Sequence, residues 1–326
     1  MRKLFLLLLL VLLCSHDLYI KMENYFLQPH QEASLSLYNG TFEKSENTIA
    51  RDRILDASVV AQGQRRAIDP EQWKDQDSTI TQLTFTTGEA GTYVAGVSTK
   101  ARNIALTAEN FNSYLEHDGV LDMLEQRKRD SVLDKDAVER YEKHVKAIYQ
   151  VGETKTNDWS TVLGYPIEFV PQANPYEKYS GETLEVQLLL DGKPLSNQLV
   201  QADYLKGSHA HDHAHADGEH SHNSEKAESH THTSGQQLRS NDQGVVVVDL
   251  PEDGIYYLRT IHMARVTDSD ELTHWSKWAT LTFEVGHKHG PDTHTHDHEH
   301  HVPTWVFIVG SLLVIGLLFL IFRKKN

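Results

Sequence analysis

Between His16 and Val285, apolar and polar residues alternate in short runs broken by turn residues, the period-two pattern of strands with one face buried. In the first third, Leu18 to Met22, Ser34 to Tyr38, Ile80 to Phe85 and Thr92 to Val97 carry this pattern. Asn39-Gly40 and Gly88 to Gly91 supply the turns. Strands this short and closely spaced predict a β-sandwich, Ig-like or prealbumin-like, over residues 16–106.

The pattern then lengthens. Thr107 is an N-cap for a helix reaching about His117, which Gly119 ends. Ala137, Tyr141, Val145 and Ile148 recur at helical spacing and predict a second helix over Asp134 to Val151, stopped by Gly152. Residues 107–155 are therefore expected to form a helical insert. Alternation returns in Pro166 to Val170, Leu184 to Leu190, Leu199 to Tyr204, Gly244 to Leu250, Tyr256 to Arg259 and Ala279 to Val285, predicting a second sandwich over 156–285. The expected class is mainly β, with one C-terminal transmembrane helix added.

The two ends differ from the rest in hydropathy. Met1-Arg2-Lys3 precedes an apolar run from Leu4 to Leu13, too short to span a bilayer comfortably, and residues 1–15 read as a secretory signal peptide cleaved after Ser15. Residues 304–322 are apolar apart from Thr304 and Ser311, and as a helix would cover roughly 28 Å. Trp305 opens that run, and Arg323-Lys324-Lys325 closes it in the tail 323–326, which the positive-inside rule places in the cytoplasm. The expected arrangement is a single-pass protein of the cytoplasmic membrane with its bulk outside.

The formal net charge is −15, and five of the cations lie at the two ends, so the exported part is more acidic still. Such a surface argues against nucleic acid and anionic lipid as partners and suits cations. The one cysteine, Cys14, falls in the signal region, behind a Leu13 that does not fit a lipidation site. The mature chain is thus expected to lack both disulfides and thiolate metal ligands.

Two histidine tracts interrupt the strand pattern. The first, within a loop over 207–235, contains His209, His211, His213, His215, His220, His222, His230 and His232. The second, in a linker over 286–303, contains His287, His289, His294, His296, His298, His300 and His301. Together they hold fifteen of the twenty-one histidines. Low-complexity tracts of this kind do not build a core. Neutral imidazole is a borderline ligand that suits nickel, cobalt, zinc and copper. In an extended His-x-His segment, alternate rings share one face with Cα atoms about 6–7 Å apart, close enough for two side chains to share an ion. Interspersed Asp212, Asp217, Glu219, Asp297 and Glu299 add carboxylates. Tracts like these are expected to hold several ions weakly and exchange them.

If His16 begins the mature chain, its amine and ring nitrogen chelate one metal together, and His30, His262 and His274 are candidates for further ligands. His117 and His144 read as structural. No nucleophile elbow, phosphate loop or His-Glu-x-x-His pattern occurs, so no enzymatic activity is expected.

Leu163 to Pro171, Asn174-Pro175-Tyr176, Gly181 to Leu184, Asp191 to Leu195, Asn241 to Gly244, Trp278 to Phe283 and the stretch Glu139 to Lys146 together carry a family pattern. It resembles an exported family of unknown-function domains related to the periplasmic component of nickel and cobalt uptake systems, the NikM-like or CbiK-like proteins. The resemblance implies two sandwich-like domains, a role around nickel or cobalt, and His16, followed by an aromatic-containing strand, as a possible ligand. Combined with the tracts, the expected function is capture of divalent transition metal beside a membrane permease. The alternatives are buffering of excess zinc, copper or nickel, and a copper enzyme built on His16.

Overall fold

Three β-sheets share one hydrophobic core. They are seen in a computed structural model that describes residues 16–206 and 235–286, all within a compact unit spanning 1–287. The expected signal peptide, both histidine tracts and the apolar run 304–322 lie outside the described residues. Among the described residues no helix is long and apolar enough to cross a membrane.

The largest sheet has ten strands. It runs from Gln236–Arg239 through Leu199–Lys206, Gly254–Arg265, His274–Val285, Ala137–Val151, Gly91–Thr99 and Ile54–Ala61 to Gln64–Ala67. Arg102–Leu106 and Phe26–Leu27 also pair with Ala137–Val151. A five-stranded sheet is built around Glu32–Gly40 and Ile80–Thr86 and includes the amino-terminal strand Asp17–Lys21; a four-stranded sheet is built around Glu182–Leu190. The protein is mainly β. Strands from either side of the expected domain boundary belong to one sheet, because Ala137–Val151 pairs in parallel with His274–Val285.

Those two strands form a central layer covered on both faces. The hydroxyls of Thr280 and Thr282 donate to the carbonyls of Leu18 and Ile20 at 2.8 and 2.7 Å, joining one face to the five-stranded sheet. On the other face Lys146 reaches Glu168 and the carbonyl of Phe169 in the four-stranded sheet. Strands covered on both sides lose the simple in–out alternation, and every residue from Glu142 to Val151 is buried.

This double burial explains the main correction. Residues 134–151 were expected to be helical, yet Ala137–Val151 is a fifteen-residue strand. The four apolar residues at helical spacing lie on both faces of a strand, where odd and even positions are buried alike. The expected insert 107–155 reduces to two short helices, Ala108–His117 and Leu121–Arg129. Thr107 caps the first as expected, accepting from the amide of Asn110 at 3.3 Å. Asn39-Gly40, expected as a turn, ends the strand Glu32–Gly40 at a register shift, and the turn follows over 41–44.

Candidate functional site

Successive side chains of a strand point to opposite faces, so Glu139, Tyr141 and Lys143 share the face turned toward the amino-terminal strand. The Lys143 ammonium donates to the carbonyl of His16. Its nitrogen lies 4.8 Å from the ring centre of Trp278 and 5.8 Å from that of Tyr141. Arg53 holds its guanidinium carbon 5.4 Å from the same Tyr141 ring and donates to the Tyr141 hydroxyl at 3.3 Å. These groups line a partly open cavity of about 170 Å³, together with Leu18, Ile104 and Leu106 and the polar Asn39 and Thr99.

The two helices complete the wall through their own small core of Phe111, Tyr114, Leu115 and Met123 against Ile261 and Trp278. Tyr114 donates to Glu139 Oε1 at 3.1 Å, and Ser276 donates to the same oxygen. Gly119 joins the helices at φ +72°, a left-handed backbone angle that favours glycine, and a Cβ there would displace the end of the Gln201 side chain.

Burial dominates the electrostatics. It raises Glu139 to about 7, opposed by the Ser276 and Tyr114 hydrogen bonds and by Lys143. It lowers Lys143 to about 8, opposed by Asp17, Asp118 and Glu139 and reinforced by Arg53. One cavity therefore holds a carboxyl and an amine that both titrate near neutral pH.

The amino-terminal strand is held from its first residues. Asp17 Oδ2 accepts from Arg259 at 2.7 Å and from the Tyr19 hydroxyl at 2.8 Å. Arg259 also donates to Gln201 and to the carbonyl of Asp118. His16 lines the cavity with its Nδ1 3.3 Å from Glu46 Oε2, and burial lowers its pKa, with Glu46 opposing. The neutral imidazole is the ligating form.

The other candidate histidines do not join it. Among the described residues no three His, Cys, Asp or Glu side chains converge as metal ligands. His30 is exposed, 3.7 Å from Glu89. His262 bonds Gln198 through Nδ1 at 3.0 Å. His274 is buried against Phe111, with Nδ1 2.7 Å from the Thr273 hydroxyl, and burial drives its pKa to about 4. His144, expected to be structural, is buried with Nδ1 2.9 Å from the Ser98 hydroxyl. The tract histidines, from His209 to His232 and from His287 to His301, lie outside the described residues.

Sequence reasoning missed Glu139, Lys143 and Arg53. On a helix, Glu139 and Lys143 would be an ordinary surface pair four residues apart. Only the strand period brings Tyr141 between them on the same face.

The motifs behind the resemblance prove architectural. Glu168 accepts from the amides of Leu163, Gly164 and Tyr165 at 2.9, 2.8 and 3.2 Å and from Lys146 at 3.0 Å, so a buried ion pair fixes the turn before its strand. Asn174 caps the next turn, and the Tyr176 hydroxyl donates to the carbonyl of Ile148 at 2.6 Å. Asn241 Oδ1 accepts from the amides of Gln243 and Val245.

A family model described as Domain of unknown function (DUF4198) matches residues 13–264. The chain belongs to this family. The DUF4198 match takes in His16, Arg53, Glu139, Lys143 and the Lys146–Glu168 lock, and ends before Trp278 and the second tract. It establishes no tie to nickel or cobalt uptake components. No curated protein matches the chain. Among solved structures, the D0-D1 domain of Intimin is 10% identical, with 82% of this chain and 97% of that chain covered and a TM-score of 0.19. Three N-terminal domains of the bacteriophage RB49 Highly Immunogenic Outer Capsid protein (Hoc) are also 10% identical, covering 82% and 59%, with a TM-score of 0.16. Scores this low carry no argument about fold or function.

Proposed function

We propose that this DUF4198 protein is a membrane-anchored extracytoplasmic binder of divalent transition-metal ions, with nickel or cobalt favoured, that captures metal for an uptake system. The reading rests on the two tracts, which place fifteen of twenty-one histidines in segments of alternating His and acidic or small residues. The neighbouring strands support a surface role for the first tract. Leu199–Lys206 and Gln236–Arg239 pair antiparallel from Leu199–Arg239 to Ala202–Gln236, and the latter strand ends the ten-stranded sheet. The described residues that flank the tract, Lys206 and Gly235, thus lie at the ends of the sheet's two outermost strands on this side. The resemblance to NikM-like or CbiK-like proteins supports the choice of metals, and the expected anchor at 304–322 would hold the second tract against the membrane.

His16 supports a firmer, single-ion contribution. In a chain cleaved after Ser15, the terminal amine and Nδ1 close a six-membered chelate, and Glu46 stands beside that nitrogen as a carboxylate donor. Partners are then the metal ions and a membrane permease that performs the transport.

Titration of the purified full chain with nickel, cobalt, zinc and copper tests the reading. Several exchangeable ions of micromolar or weaker affinity are expected, and their number should fall when 207–235, with eight of the fifteen tract histidines, is removed. An unchanged stoichiometry would end it. The same deletion separates capture from buffering: uptake at scarce metal falls under the first, tolerance to excess metal under the second. A tight copper site that survives loss of both tracts would favour the enzyme alternative.

A further inference from the structure

The cavity beside the amino-terminal strand has a chemistry that metal capture does not use. Lys143 is buried, and its ammonium meets one carbonyl and two aromatic rings. Arg53 contacts the same Tyr141 ring, and its Nε is buried without a hydrogen-bond partner among the described residues. Neither cation has an ion-pair partner among the described residues. Of the nearby acids, Asp17 gives Oδ2 to Arg259 and Tyr19 and Glu139 gives Oε1 to Tyr114 and Ser276, while Asp17 Oδ1 is buried without a hydrogen-bond partner among the described residues and Asp17 and Asp118 act on Lys143 through their charge. Ile104 and Leu106 also line the cavity, as does the Trp278 ring that Lys143 touches. A buried cation keeps its charge at low cost only when a charge-assisted partner is supplied.

We infer that this cavity is a binding site for a small organic monoanion, a carboxylate that bridges Lys143 and Arg53 with its apolar body against Trp278, Ile104 and Leu106. Size limits the body. The volume is about 170 Å³, and an apolar cavity of about 150 Å³ admits benzene, so the class is a monocarboxylate of short-chain or single-ring size. Dicarboxylates are disfavoured, because a second charge would face the apolar wall or Glu139. The site does not draw on the histidine tracts, though His16, the candidate metal ligand, lines it.

The test is calorimetric titration of the purified full chain with acetate, butyrate, hexanoate and benzoate, in the presence of a strong chelator. Benzamide and benzylamine serve as neutral and cationic controls of similar shape. Saturable binding of butyrate, hexanoate or benzoate is expected, at least about tenfold tighter than benzamide, a difference of about 1.4 kcal/mol. Lys143→Met and Arg53→Gln should each weaken it about tenfold or more, with folding checked by circular dichroism. Lys277→Met, a cation outside the cavity, should leave it unchanged. Equal binding of benzamide, an unaffected Arg53→Gln variant, or no saturation below about 10 mM by any of the acids (a standard free energy of only about −3 kcal/mol) overturns the inference. Binding that appears only without chelator would assign the carboxylate to a bound metal ion and overturn it too, while leaving the metal reading intact.

Discussion

Asp17 Oδ2 accepts from Arg259 Nη1 at 2.7 Å, with both side chains 5% exposed. The pair joins the second residue of the expected mature chain to a strand more than two hundred residues later. Chain termini ordinarily fray unless tied down. Here the tie is a buried charge pair, extended by Tyr19 and Gln201, that fixes His16 at the cavity.

Breaking one side of that pair leaves the other charge buried and uncompensated, which typically costs 3–5 kcal/mol or about that. Asp17→Asn should therefore lower the urea midpoint strongly, with an unchanged slope. A midpoint within error of the parent would mean that Arg259 finds another acceptor.

Glu139 makes stability fall as pH rises. Its folded-state value, about 7, lies above the ordinary 4.5, so the protonated form favours the fold. That contribution is complete below the ordinary value and is lost as pH rises through about 7. At about 1.4 kcal/mol per pKa unit, it amounts to roughly 3 kcal/mol. Ser276, Tyr114 and Lys143 face the carboxyl, and Glu139→Gln keeps an acceptor for the two hydroxyls. The variant should lose the decline in melting temperature between pH 4.5 and 7, which differential scanning calorimetry reads directly.

Lys143 works in the opposite sense. Its folded-state value, about 8, lies below the ordinary 10.5, so the neutral amine favours the fold. That contribution is present above the ordinary value and is lost as pH falls through about 8. At pH 7 the buried ammonium is a net cost, and Lys143→Met should stabilise the protein. The gain is up to roughly 3 kcal/mol, less about 1 for the lost hydrogen bond to His16. A drop in melting temperature at pH 7 would show that the ammonium is well compensated in the fold.

The first tract should be dispensable for folding. Replacing 207–234 with an Asn-Gly turn shortens a loop between two paired strands, and loop-closure entropy predicts a gain of about 2 kcal/mol or less. Metal content per chain, measured on protein isolated without an affinity resin, should fall while the melting temperature holds or rises. A large loss of stability would mean that the tract packs on the sheet.

The strands outside the central layer were legible where one face is buried, as the alternating burial of Val245–Leu250 shows, although Asp17–Lys21 is buried at four successive residues. Asp17–Lys21, Glu32–Gly40, Ile80–Thr86, Glu182–Leu190 and Val245–Leu250 closely match the alternation seen in the sequence. Thr107 and Gly119 marked the first helix for local reasons, a side-chain cap and a left-handed backbone angle. Ala137–Val151 was illegible because burial on both faces removes the contrast on which alternation depends, and two of its charged residues, Glu139 and Lys143, line a cavity rather than face water. The second helix, Leu121–Arg129, is too polar to show a stripe; only Met123, Leu124 and Arg127 are buried.

The sequence alone determined the β class, the histidine tracts with their chemistry, and the candidate role of His16, since composition and local periodicity need no partner to be read. Tertiary structure decided that both halves of the chain share one sheet. It also placed His16 beside Glu46 and assembled Arg53, Glu139, Tyr141, Lys143 and Trp278 around one cavity. Those residues come from segments far apart in the chain, and the values of Glu139 and Lys143 near neutrality arise from burial. Burial is a property of the packed molecule, and no local pattern of residues encodes it.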